Sequence, residues 1–333
     1  MTTIDLHLPT SWNGCTTADL EAIAAAIIQE QQRTDRYHPF DWFRVKLAVV
    51  LAINAMTVVA AAGASGRNTP ARNTAAGRVV AGSASDIGAS GDEYLVRRPQ
   101  DRAPWPITTG QLLALTDRLA FLDDPKANRT IFAFPYPTLD VRCKKEEGRL
   151  LSHQPSAIIH LLGPAPLLDG YTWQEYRYLT DWMQEYMRCA NALAQSKMED
   201  GRGKAALENA RNEFLAVLFK PATSAISPLT SDIFAGFSPI KWQVILFWWS
   251  SLMGLLQQKF PRVFKPQPVG RDRQQKKNET PWDFYNRVTA TIQKYIGGLS
   301  EHDVNAATYG TILQQLDMMA QEAQEMEKLK NKK

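Results

Sequence analysis

The strongest hydrophobic pattern in the chain is the run from Trp242 to Leu256, which Pro261 follows. Four small or polar residues interrupt this run: Gln243, Ser250, Ser251 and Gly254. A helix of this composition has apolar residues on nearly every side, so protein or lipid must enclose it. The run is shorter than the roughly 20 residues that a bilayer requires. The pattern therefore favours one fully buried central helix over a membrane span.

Amphipathic patterns elsewhere in the chain predict further helices around this one. Three capping-box pairs each predict the start of a helix: Thr16 with Asp19, Thr108 with Gln111, and Thr172 with Glu175. Two pairs that place proline after a capping residue predict two more starts: Ser238-Pro239 and Thr280-Pro281. These signals indicate a mainly α fold.

A long helix is also expected over roughly Asp41 to Ala62. The segment from Leu47 to Ala64 is long enough to be considered as a membrane span, but Asn54 and Thr57 dilute its hydrophobicity. We therefore favour a buried core helix here as well.

Strand patterns are few and lie in the first half of the chain. Residues Thr3 to Leu8 alternate apolar and polar side chains with the period of a half-buried strand. Short extended pieces are also expected at Glu93–Arg98, Ile131–Phe134 and Leu139–Cys143. The first 145 residues are thus predicted to form a small α+β region, and residues 146–333 a helical domain.

Between Gly63 and Gly91 the chain consists mainly of Gly, Ser, Ala, Thr and Arg residues and has no periodic apolar face. Such a segment cannot bury enough apolar surface to offset its ordering entropy, which predicts a mobile loop. An alternative is an arm that becomes ordered on a partner or on nucleic acid.

The final helix, expected over residues 300–330, has apolar residues in alternating steps of three and four. This heptad-like seam consists of Tyr309, Ile312, Leu316, Met319, Ala323 and Met326. The pattern is typical of a helix that packs on another helix, either in its own domain or in a partner chain. The candidate partner-binding residues are Tyr309, Ile312, Leu316, Met319 and Met326.

Composition places the chain among ordinary soluble globular proteins. It has 333 residues, of which 44% are hydrophobic and 22% charged, and a net charge of +4. The three cysteines are far apart and form no C-x-x-C pair, which indicates free thiols in a reducing compartment. The N-terminus lacks the basic and apolar regions of a secretory signal. A cytoplasmic protein is therefore expected, in a bacterial host cell if the chain is phage-encoded.

No pattern of catalytic, cofactor-binding or metal-ligating residues stands out. The five histidines form no H-E-x-x-H motif, and the chain has no G-x-S-x-G nucleophile elbow. The nearest cluster is Cys143 with His153 and His160, whose spacings fit no metal site. We therefore predict that the protein is not an enzyme and has no cofactor.

Basic residues provide an alternative hypothesis, a DNA- or RNA-associated accessory protein. Arginines in the Gly63–Gly91 segment and a second basic segment could contact phosphates: Arg67, Arg72, Arg78, Arg271, Arg273, Lys276 and Lys277. They lack the interleaved aromatic residues of a single-strand binding surface. Nucleic acid is therefore the less favoured partner.

Two segments resemble a known group of proteins. The segments Leu8–Leu20, L-P-T-S-W-N-G-C-T-T-A-D-L, and Trp242–Phe264 are similar to parts of poorly characterised proteins from the tail-gene regions of Bacteroidales-type phages and prophages. The resemblance implies a helical C-terminal half and a role in tail assembly, such as chaperoning the tape-measure protein. It brings no catalytic residues with it.

From these patterns we expect a non-enzymatic protein–protein interaction or assembly factor. The expected partner is another protein, such as a tape-measure or other tail protein, or a second copy of the chain. No membrane association is expected, because both long apolar segments are better explained as core helices.

Overall fold

The computed structural model describes residues 6, 8–34, 39–62, 93–101, 103–124, 130–142, 158–195, 201–222, 229–264 and 281–330. Its architecture is mainly helical with small sheets, as the sequence predicted. The chain forms two compact units, Met1–Ile131 with Ser238–Ser250 and Phe132–Phe237 with Ser251–Lys333. Ser238–Ser250 thus groups with the N-terminal residues, whereas the boundary predicted near residue 145 places it in the C-terminal domain.

Three helices of the first unit begin or end where local sequence signals expect them. They are α1 (Thr17–Arg33), α2 (Trp42–Ile53) and α3 (Thr109–Asp117). At the start of α1, the backbone N–H of Thr16 donates to the Asp19 carboxylate (2.8 Å), and the N–H of Asp19 donates to the Thr16 hydroxyl (3.2 Å). The equivalent reciprocal pair begins α3. Both predicted capping boxes are confirmed because they need only residues three positions apart.

The sheet of the first unit contains β1 (Thr57–Ala62), β2 (Glu93–Arg97) and β3 (Trp105–Thr108), antiparallel in the order β1-β2-β3. The short strand predicted at Glu93–Arg98 is confirmed. The helix predicted to continue to Ala62 is wrong in its second half, because α2 ends at Ile53.

The end of α2 has a clear backbone cause. Ala55 has a left-handed conformation (φ 50°), which an α-helix does not contain. The next residues begin with the β-branched run Thr57-Val58-Val59, and such residues favour strands. Antiparallel pairing with β2 provides hydrogen-bond partners along one edge of β1, so a strand replaces the expected last helical turns.

The core of the first unit is partly aromatic. The Trp12 side chain is only 3% exposed. Its ring centre lies 5.5 Å from that of Phe121 and 5.3 Å from that of Phe247, which belongs to the same unit. Leu20 and Ile23 of α1 are also fully buried. Aromatic and aliphatic burial of this kind supplies most of the stabilisation of such a unit.

The sheet of the second unit contains β4 (Thr138–Arg142), β5 (Ile158–Leu162) and β6 (Lys220–Pro221), antiparallel in the order β4-β5-β6. The extended piece predicted at Leu139–Cys143 corresponds to β4. The piece predicted at Ile131–Phe134 has no regular secondary structure.

Helices make up most of the second unit. They are α4 (Trp173–Gln195), α5 (Gly201–Leu218), α7 (Pro281–Ile296), α8 (Glu301–Ala306) and α9 (Tyr309–Lys330). The predicted capping box of α4 is present: the Thr172 N–H donates to the Glu175 carboxylate at 2.8 Å. The rings of Phe134, Phe219 and Phe234 form a buried chain, with centres 5.6 and 5.9 Å apart.

A buried arginine connects three of these helices. Arg177 on α4 is 3% exposed, and its guanidinium donates to the side-chain oxygens of Asn286 on α7 and Asn305 on α8, each at 3.3 Å. A buried guanidinium is tolerated only when its donors find acceptors, so these amides help to fix the positions of α7 and α8 against α4.

The central apolar run lies in α6 (Pro239–Lys259), whose residues divide between the two units after Ser250. Most of its large side chains are buried, including Trp242 and Trp248. One side is not enclosed: Leu246 and Met253 are half-buried, and Ser250 and Gln257 are exposed. The expectation of complete burial therefore fails on one face. Among the described residues, no helix is long and apolar enough to cross a membrane.

Two sequence expectations concern parts of the chain outside the described residues. They are most of the predicted strand at Thr3–Leu8 and the whole of the predicted loop from Gly63 to Gly91.

Candidate functional site

The start of α9 is held firmly within the second unit. The N–H of Trp173 donates to the Ala307 carbonyl (2.7 Å), and the N–H of Tyr309 donates to the Tyr171 carbonyl (3.1 Å). The ring of Tyr309 stacks on that of Tyr176 with centres 4.9 Å apart. The first turn of α9 is therefore fixed to the start of α4 by both backbone and aromatic contacts.

Tyr309 has a structural role in this arrangement. Its hydroxyl donates to the carbonyl of Leu167. Burial, with the nearby Asp169 carboxylate, raises the pKa of Tyr309 to about 12. Burial raises the pKa of Tyr171 as well. Because both phenols stay protonated at neutral pH, they fit a packing role better than proton transfer.

Polar contacts hold the middle of α9. The Arg262 guanidinium donates to the Asp317 carboxylate (Nη1–Oδ2, 2.7 Å), and the Arg262 backbone N–H donates to the other carboxylate oxygen at 3.2 Å. One turn later, the Tyr295 hydroxyl of α7 donates to Glu322 at 2.8 Å. No residue of α9 beyond Leu313 is buried among those whose side chains are described.

The residues of the predicted seam become less buried from the start of α9 toward its end. Tyr309 and Ile312 are 6% and 2% exposed, so their side chains belong to the core of their own unit. Leu316 and Met319 are half-buried, and Met326 is 61% exposed. The structure therefore leaves Leu316, Met319 and Met326 as the candidate residues that a partner could reach.

A cavity of about 590 Å³ lies on another side of α9. Its walls come from Leu167, from the last turns of α6 and from the first turns of α9, including Gly310. No pattern in the sequence indicates this site. A single glycine near a helix start and a lysine near a helix end are too common to indicate a cavity without the fold.

The titratable side chains of the described residues form no metal site outside the cavity. Among the described residues, no three or more His, Cys, Asp or Glu side chains are arranged to hold a metal ion. His160 contacts Asp140 at 2.7 Å, with both side chains exposed, and the other two residues considered with it in the sequence, Cys143 and His153, lie outside the described residues. Burial and Asp19 raise the pKa of the Cys15 thiol to about 12, which disfavours a reactive thiolate.

The described residues provide no observation that bears on the nucleic-acid hypothesis. All seven of its candidate residues lie outside the part of the chain that the structure describes: Arg67, Arg72, Arg78, Arg271, Arg273, Lys276 and Lys277. This hypothesis stays a prediction.

No family model, no curated protein and no solved structure matches this chain. The resemblance of Leu8–Leu20 and Trp242–Phe264 to phage tail-region proteins therefore stays a prediction.

Proposed function

We propose that this chain is a non-enzymatic interaction protein that binds a helix of a partner protein along the last turns of α9. The observation that carries the proposal is the continuation of the apolar seam beyond the core. Ile312 is buried, Leu316 and Met319 are half-buried, and Ala323 and Met326 are exposed, all at heptad-like spacing.

The apolar seam of α9 is only partly buried within its own unit. A seam with a period of three and four residues presents a continuous stripe along one side of a helix, and the usual occupant of such a stripe is another amphipathic helix. The start of α9 already uses this stripe inside its own unit. The exposed part of the seam offers a partner helix an apolar surface. The first turn of α9 is held in place by its contacts with the start of α4.

The particular partner that we propose is a tail-assembly protein of a phage, such as the tape-measure protein. This part of the proposal is supported by the resemblance of Leu8–Leu20 and Trp242–Phe264 to phage tail-region proteins. The chain would then act in the cytoplasm of the bacterial host during assembly.

The proposal is tested by co-expressing the full chain with the products of the neighbouring genes and measuring pull-down. The variant Ala323→Lys puts a charge on the exposed seam, and we expect it to reduce recovery of the partner at least tenfold. The matched control is Gln321→Lys. It is also exposed and also changes a neutral residue to lysine, but two positions along a helix is about 200° around its axis.

Equal loss of binding in both variants would indicate a general charge effect and would contradict a seam-specific partner. Recovery of a neighbouring gene product by wild type and Gln321→Lys, but not by Ala323→Lys, would support it. No recovery of any neighbouring gene product by the wild-type chain would count against the tail-assembly role.

A further inference from the structure

The cavity beside α9 has the size of a small-molecule site. Its volume of about 590 Å³ falls within the range of roughly 300–1,000 Å³ that is usual for such sites. It lies on the side of α9 that carries Thr311, Gln314 and Met318, away from the seam residue Leu316. The cavity is therefore separate from the surface proposed for the partner helix.

One wall of the cavity is apolar. Leu256 and Phe260, from the end of α6, are 2% and 8% exposed, and the lining also includes Met318 of α9, which is 46% exposed. Such a wall attracts the apolar part of a ligand, because the ligand and the wall both lose contact with water. The lining also contains the polar side chains of Thr311 and Gln314, both exposed on α9.

The charges in the lining leave one cation available. Asp317 is already occupied by Arg262, which donates to it from its guanidinium and its backbone. Lys259 lies in the lining with its ammonium nitrogen 5.5 Å from the centre of the Phe260 ring. Within the described part of the chain, no acidic side chain forms an ion pair with Lys259. A ligand with a negative group beside an apolar body fits this combination.

Gly310 is one of the residues that line the cavity. It lies in the first turn of α9, and a Cβ added there would meet no atom within 4 Å. Glycine is unfavourable within helices compared with alanine, and packing does not require its small size here. A larger side chain at this lining position would therefore have open space to occupy.

We propose that this cavity binds a small carboxylic acid with an apolar body. The carboxylate pairs with the Lys259 ammonium and accepts hydrogen bonds from the Gln314 amide and the Thr311 hydroxyl. The Thr311 hydroxyl also contacts the Thr308 hydroxyl at 2.7 Å, so Thr308 is the donor in that pair when Thr311 donates to the ligand. The apolar body packs on Leu256 and Phe260. The proposal does not depend on the interaction function of the seam.

The test uses the full chain and a matched set of probes: phenylpropionate, phenylpropanol and phenylpropylammonium. Binding is measured by isothermal titration calorimetry and by saturation-transfer NMR. We expect the carboxylate to bind at least tenfold more tightly than the alcohol and the ammonium compound not to bind. Equal binding of all three probes, or no binding of phenylpropionate at millimolar concentration, would overturn the proposal.

Two glycine variants test the location of the site. Gly310→Leu places a side chain in the cavity and should abolish phenylpropionate binding. Gly254→Leu is the matched control, because Gly254 is also helical, a Cβ there also meets nothing within 4 Å, and the residue is not in the lining. Retained binding by Gly310→Leu would exclude this cavity, and thermal unfolding of both variants checks that the fold is intact.

A charge variant tests the recognition of the carboxylate. Lys259→Gln removes the cation but keeps a hydrogen-bond donor, and we expect it to weaken phenylpropionate binding about tenfold while leaving phenylpropanol binding unchanged. A short acetylated peptide amide with one glutamate between two leucines is tested as a further binding probe. If the peptide binds more tightly than phenylpropionate, the ligand is an acidic segment of a polypeptide and the assignment to a free acid is wrong.

Discussion

Helices α6 and α9 show two different relations between hydrophobic pattern and burial. Helix α6 is apolar on nearly all sides, and its three tryptophans, Trp242, Trp248 and Trp249, are at most 7% exposed. Helix α9 has a single apolar seam, which is buried at Ile312 and 61% exposed at Met326. Helix α6, the more hydrophobic of the two, contributes mainly to the core. Helix α9 carries the exposed apolar residues at the end of its seam.

The two helices show that an apolar pattern alone does not determine which of its residues are buried within the chain. In α9 the same spacing continues from a part packed in its own unit into a part where none of the described side chains is buried. In α6 a continuous apolar run still leaves Leu246 half-buried beside an exposed Ser250. Burial depends on how many neighbours reach each side of a helix, and those neighbours are set by the fold.

Removal of a buried α6 side chain is expected to have the largest effect on stability. Trp248 is 1% exposed, so Trp248→Ala should lower the free energy of unfolding by about 3–5 kcal/mol, because it removes buried area and leaves a cavity. Chemical denaturation of the full chain, followed by circular dichroism, measures the change. A loss below about 1 kcal/mol would show that α6 is not the scaffold inferred here.

An intermediate effect is expected at the base of α9. Tyr309→Phe removes the hydrogen bond to Leu167 and should cost about 1 kcal/mol at neutral pH. The pKa of Tyr309 is raised from 10.0 to about 12, so its phenol holds its proton more strongly in the folded chain than in the unfolded chain. The corresponding stabilisation is complete below the unfolded-state pKa and is lost as the pH rises toward about 12.

The pH dependence of the free energy of unfolding distinguishes a buried, hydrogen-bonded Tyr309 from a side chain that only packs. Unfolding free energies measured between neutral pH and pH values near the folded-state pKa should decline less steeply for Tyr309→Phe than for wild type. Parallel declines for the two proteins would contradict a buried, hydrogen-bonded Tyr309.

The smallest effect on stability is expected at the exposed end of α9. Met326→Ala should change the free energy of unfolding by less than about 0.5 kcal/mol, because most of this side chain is already in water. The same denaturation experiment applies. A cost similar to that of Trp248→Ala would mean that Met326 is packed in the free chain, and the contrast between the two helices would disappear.

The candidate site could be predicted only in part. The periodicity of Ile312, Leu316 and Met319 is visible in the sequence, but its division into a buried and an exposed part is not. The cavity was missed, because Gly310 and Lys259 are about fifty positions apart and only the packing of α6 beside α9 brings them together. The candidate nucleic-acid residues lie outside the described part of the chain, so that hypothesis is no further advanced.

The sequence by itself determined the starts of the helices at Thr16, Thr108 and Thr172 and the mainly helical character of the chain. These features depend on hydrogen bonds and side-chain spacing within a few residues. Only the tertiary structure decided that Thr57–Ala62 is a strand, since its partner β2 follows after a long connecting segment. The open side of α6 and the exposed end of the α9 seam were decided in the same way, because burial is a property of neighbours that are distant in the chain.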